Sequence, residues 1–126
     1  MGPKARWSLW SGFVVLWTIL LLLPADFIKS LPGGDLIQSR RYLLAKTLHV
    51  TAYAFMTLIS GWLQVPARFR CLLIFLLMVH ATLTEVIQRY CIPGRTGALL
   101  DVGFNDIGIA IGIVLAWKWW TKKDEL

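Results

Sequence analysis

Two long stretches of this chain carry no Asp, Glu, Lys or Arg: Trp7 to Ala25, 19 residues, and Thr47 to Ala67, 21 residues. A helix needs about 20 predominantly apolar residues to cross a bilayer, and only a backbone that bonds to itself is tolerated there. Both stretches meet that length. The overall balance agrees: 57% of residues are apolar and 16% charged, against roughly 45–50% and about 25% in soluble domains. This distribution argues against a soluble enzyme or a nucleic-acid binder, even though the formal charge is +6.

Two further spans are interrupted by polar groups. Cys71 to Thr84 is uncharged, and its apolar pattern runs on to about Tyr90 with Glu85, Gln88 and Arg89 in the last turns. Leu99 to Trp120 is long enough to span but carries Asp101, Asn105 and Asp106 near one end. The expected fold is all-α: an integral membrane bundle of four transmembrane helices, at 7–24, 43–65, 70–90 and 98–119, forming a single domain over 1–126. The first span is expected to stay in place, because Pro24-Ala25-Asp26 is a poor signal-peptidase site.

Four spans put both termini on one side. Lys4, Arg6, Arg68, Arg70, Lys118, Lys122 and Lys123 share that side, and Lys29, Arg40, Arg41, Arg89 and Arg95 lie on the other. The excess of basic residues places the termini in the cytoplasm. Trp7, Trp10, Trp62, Trp117, Trp119 and Trp120 gather at the same interface. Lys123 to Leu126 spell a retention address that is read in the lumen of the endoplasmic reticulum. In this orientation they are a charged tail on the wrong side for it. Cys71 and Cys91 end up about 30 Å apart along the third helix, too far to pair within one chain. The Asp26 to Arg41 connection holds Pro32-Gly33-Gly34 and leaves room for an interfacial helix or a flap.

The polar residues inside the spans carry the functional signal, since ionisable groups in hydrocarbon are costly and face the bundle interior by default. At 100° per residue, Lys46, His49, Tyr53, Thr57 and Ser60 fall within about 80° of arc on the second helix. Glu85, Gln88 and Arg89 share a face of the third. Asp101, Asn105, Gly108 and Gly112 share one of the fourth, and Pro93-Gly94-Arg95 holds a cation in the turn between them. The chemistry of all three stripes sits at the outer end.

The expectation is an outward-opening polar pocket lined by Lys46, His49, Glu85, Gln88, Arg95, Asp101 and Asn105, with Tyr53 on the same stripe. Each residue also has a plainer reading. Lys46 can snorkel, Asp101 and Asn105 can cap a helix, and Glu85 can pair with Arg89 or Arg95. Gly108 and Gly112 form a small-xxx-small pair suited to close helix packing. His80 and Asp106 lie off the stripes; His80 is expected to be a hydrogen-bonded packing residue.

Lys46-x2-His49-x3-Tyr53, Glu85-x2-Gln88, Pro93-Gly94-Arg95 and Asp101-x3-Asn105-x2-Gly108-x3-Gly112 together resemble the VanZ-like family of small bacterial membrane proteins, over roughly residues 40–115. The family often has an acidic residue just before the lysine, where this chain has Ala45. The resemblance implies a multi-span fold in the bacterial cytoplasmic membrane and, in some members, lowered susceptibility to teicoplanin.

The function expected is action on, or binding of, a membrane lipid headgroup, a lipid-linked cell-wall precursor or a lipoglycopeptide. Glu85 would be the acid/base with His49 sharing or orienting that role. Lys46 and Arg95 would hold a phosphate, and Tyr53, Gln88, Asp101 and Asn105 would line the ligand. A binding or assembly module without bond-breaking is the alternative. A proton path is less favoured, because the inner half of the stripe offers only Thr57 and Ser60. His49, Glu85 and Asp101 are types that suit zinc or manganese, but none belongs to a tight ligand motif such as H-E-x-x-H, so neither metal nor cofactor is expected. No nucleotide loop or nucleic-acid motif is present.

Overall fold

The computed structural model describes residues 1–24, 27, 30–34, 36, 41–92 and 99–121. Among them the chain is all-helical: α1 (Pro3–Leu21), α2 (Arg41–Ser60), a 3-10 turn (Gly61–Leu63), α3 (Ala67–Cys91), α4 (Leu99–Leu115) and the single-turn α5 (Trp117–Trp120). The Asp26 to Arg41 connection lies largely outside the described residues. The Pro93-Gly94-Arg95 turn and the Lys123 to Leu126 tail lie wholly outside them.

The helix ends follow from local chemistry. Pro3 occupies the first turn of α1, where its fixed φ suits the helix and its missing N–H costs nothing. Between α2 and α3, Gln64 adopts a left-handed conformation (φ 57°) and Pro66 caps α3, so the chain reverses within a few residues. The expected fourth span is broken: α4 stops at Leu115, and α5 begins after Ala116. Among the described residues, α3 is the one helix that is long and apolar enough by itself to cross a membrane. α4 has 17 residues, at the lower limit of about 17–25 for a span.

α4 packs chiefly along α2 and next against α3, while α1 lies across α2 and α3. The α2–α4 contact is close because Gly108 and Gly112 face α2. A methyl added to Gly108 would meet the Val50 carbonyl oxygen, and one added to Gly112 would stand 2.5 Å from Thr57 Cβ. Tyr53, Met56, Leu77, Ala81 and Ile109 form the apolar centre, with Trp10, Phe13 and Trp17 of α1 packed on it.

At the end where α2 finishes and α3 starts, aromatic and cationic groups lock together. Arg6 donates to the Trp62 carbonyl (3.1 Å) and lies over its ring. Arg70 donates to the carbonyls of Val65 (3.0 Å) and Trp120 (3.2 Å), and Trp119 covers Gly61.

The exterior is apolar and much of the interior is polar. Val15, Leu16 and Ile19 of α1, Phe75, Leu76 and Leu83 of α3, and Ile107, Val114 and Leu115 of α4 are exposed. His49, Thr57, Ser60, Thr84, Glu85, Gln88, Asp101 and Asn105 are buried.

Candidate functional site

Three helices bring their polar stripes to one end of the bundle, where α2 and α4 begin and α3 finishes. The spacing Lys46-x2-His49 puts both side chains on the α2 face that meets α4. There Lys46 Nζ forms an ion pair with Asp101 Oδ1 and lies 5.5 Å from the Phe104 ring centroid. One turn deeper, His49 Nδ1 is 2.7 Å from Asn105 Oδ1 and 3.7 Å from Glu85 Oε1. A single ligand atom from each of His49, Glu85 and Asp101 lies within 4.8 Å of the other two.

The cluster is enclosed. His49, Glu85, Gln88, Asp101 and Asn105 are between 0% and 7% exposed. At that burial a polar group that lacked a partner would cost about 1–3 kcal/mol, and the side chains are accordingly engaged across helices. Asn105 is engaged only in part. Its Oδ1 faces His49, while its Nδ2 is buried with no hydrogen-bond partner among the described residues.

The expected site residues separate into three groups. Lys46, His49, Glu85, Asp101 and Asn105 meet as a unit. Lys46 neither snorkels nor projects its ammonium into open space, since it is committed to Asp101. Asp101 and Asn105 use their side chains between helices rather than as caps. Arg89 is exposed and lies over Tyr90, and His49 is an ion partner of Glu85 among the described residues.

Gln88 and Tyr53 are buried next to the cluster but point elsewhere. Gln88 donates from Nε2 to the Leu21 carbonyl, one of the last groups of α1 that the helix itself leaves unbonded. Tyr53 is fully buried, and its hydroxyl is 2.9 Å from His80 Nδ1. His80 in turn meets Thr18 Oγ1 at 2.7 Å through Nε2, so this histidine ties α1, α2 and α3 together. Arg95 lies outside the described residues.

The contribution of α1 is new. Trp17 stands edge-on to the His49 ring at 6.1 Å, closing the cluster on the side away from α4. Trp17 sits in an uninterrupted apolar run, and helical periodicity contains nothing that marks it out.

Compared with known protein families, with curated proteins and with solved structures, the chain has no match. The site is therefore read from its own geometry.

Proposed function

We propose that α1 to α4 cross the bacterial cytoplasmic membrane as a four-helix bundle with both termini inside. The polar cluster then lies toward the extracytoplasmic end, as an enclosed site that a ligand reaches by parting the helices. There the protein acts on or binds a lipid headgroup, a lipid-linked cell-wall precursor or a lipoglycopeptide, in the manner of the VanZ-like proteins it resembles.

The observation that carries this reading is the convergence of His49, Glu85 and Asp101, with Lys46 and Asn105, at one end of a bundle whose outer surface is apolar. Buried ionisable groups in such a setting mark function more often than packing. The apolar exterior supports immersion in lipid, and the excess of basic residues at the opposite end supports the orientation. In this reading Glu85 and His49 move a proton, Lys46 holds Asp101 in place, and Asn105 orients the imidazole. A ligand phosphate would be met by Arg95.

The test is teicoplanin susceptibility in a Gram-positive host carrying empty vector, the intact chain or Glu85→Gln, at matched membrane levels. Protection by the intact chain that Glu85→Gln abolishes is the expected result. Equal protection by both removes proton transfer at Glu85 and leaves the binding module. The commitment of Lys46 to an ion pair gives that second reading a distinct signature, because Arg95→Ala would then matter more than Glu85→Gln.

A further inference from the structure

Glu85 and Asp101 bring two buried carboxylates to one buried imidazole, that of His49. Charge pairing alone, such as that of Lys46 with Asp101, leaves unexplained why three ligand-type atoms from three helices converge.

We propose that His49, Glu85 and Asp101 bind a single divalent transition cation, zinc or manganese, as a three-ligand site with one position left for a water or a ligand oxygen. The inference gives the proposed site a cofactor and makes Glu85 and His49 its ligands in place of proton carriers; it rests on that reading only for the site's being functional. Four features support it. The donor set is an imidazole and two carboxylates, which suits these ions, and three protein ligands with an open position is the pattern of catalytic rather than structural zinc.

The ligand atoms lie within 4.8 Å of one another. Zinc holds such atoms at about 2.0–2.2 Å from itself and so about 3.4 Å from one another, which asks them to close by up to about 1.4 Å, within reach of side-chain rotation. Asn105 stands beside the imidazole, its Oδ1 2.7 Å from His49 Nδ1, where it fixes the orientation of the ring as an outer-shell partner does. The Nδ2 of Asn105 is buried with no hydrogen-bond partner among the described residues, a polar atom beside the cluster that a metal-bound water or ligand oxygen would satisfy. The absence of an H-E-x-x-H spacing does not count against the site, because such spacings describe ligands on one helix and these come from three. The open position would take a phosphate oxygen, the feature that lipid headgroups and lipid-linked precursors share.

The experiment uses the purified full chain in detergent, stripped with EDTA and titrated calorimetrically with zinc chloride and, separately, manganese chloride. One equivalent per chain is expected for at least one of the two ions, with affinity falling at least tenfold in His49→Ala, Glu85→Gln and Asp101→Asn, and unchanged in His80→Gln. Metal should also raise the thermal midpoint of the stripped wild-type protein, a readout that needs no variant to fold. Absence of stoichiometric binding and of any thermal shift overturns the proposal. So does binding lost in His80→Gln but retained in the three ligand variants. Metal bound while Glu85→Gln still protects cells would sink the proposed function and keep the metal site; the converse pair of results would do the reverse.

Discussion

Replacing Gly112 by alanine tests the packing that holds the cluster together. An added Cβ would lie 2.5 Å from Thr57 Cβ, 2.6 Å from the Ala54 carbonyl oxygen and 3.0 Å from Thr57 Cγ2. Ordinary carbon contacts are about 3.5–4.0 Å, so α2 and α4 must separate by about 1 Å. Two of the three obstacles are a backbone atom and a Cβ, and neither can rotate away. Overpacking of this kind costs typically about 1–3 kcal/mol, set against a helix-propensity gain of about 1 kcal/mol for Gly to Ala.

The same helix contains its own control. Gly103 has nothing within 4 Å of an added Cβ, so Gly103→Ala should collect the propensity gain alone. The two variants should therefore differ by about 1–3 kcal/mol, with Gly103→Ala the more stable. Thermal unfolding in one detergent, followed by far-ultraviolet circular dichroism, measures the difference. Gly112→Ala should also weaken any activity of the site, since moving α4 carries Asp101 and Asn105 away from Lys46 and His49. Equal stabilisation by both substitutions would refute the close α2–α4 contact, and with it the geometry of the cluster.

Three further expectations follow from single contacts. Lys46→Met leaves Asp101 buried beside Glu85 and should cost about 3 kcal/mol, most of it recovered in Lys46→Met/Asp101→Leu, because an apolar pair of similar size replaces a buried ion pair at little cost. Additive losses in the double-mutant cycle would show that the two charges do not interact. Tyr53→Phe should destabilise by about 1–3 kcal/mol by orphaning His80 Nδ1, yet leave protection at matched expression unchanged; loss of protection without loss of stability would put Tyr53 in the site after all. Gln88→Leu should remove one hydrogen bond from the Leu21 carbonyl and speed hydrogen exchange in the last turn of α1, with α3 unaffected, and unchanged exchange there would remove Gln88 from that role.

Much of this arrangement was legible in the residues, for definite reasons. An apolar run marks where lipid or core contact is needed, so the spans 43–65 and 70–90 correspond closely to α2 and α3. It does not mark helix ends. α1 starts at Pro3, before the uncharged run, because Lys4 and Arg6 are good helix formers, Lys4 facing water and Arg6 held on Trp62. The break at Ala116 has no proline or glycine to announce it. Periodicity also worked for His49, Glu85, Asp101 and Asn105, since a shared face on each of three helices is sufficient when those faces meet.

A helical wheel names a face but not the neighbour that the face meets at each depth. Tyr53 shares the stripe of His49, yet one turn deeper the partner opposite is His80 of α3, so its hydroxyl leaves the cluster. Gln88 shares the face of Glu85 and reaches α1 instead. Asp101 as the partner of Lys46 was equally hidden, because the residue preceding the lysine is Ala45 and the acid comes from 55 positions further on.

The central claim is that the bundle crosses the membrane with its polar cluster at the outer end, and the chain carries the reporters to test it. Cys71 and Cys91 are both free and exposed, near opposite ends of α3. A membrane-impermeant thiol reagent applied to intact cells should label Cys91 in a Cys71→Ala protein. It should label Cys71 in a Cys91→Ala protein only after the membrane is permeabilised. Labelling of both from outside without permeabilisation, or of Cys71 alone, would contradict the account.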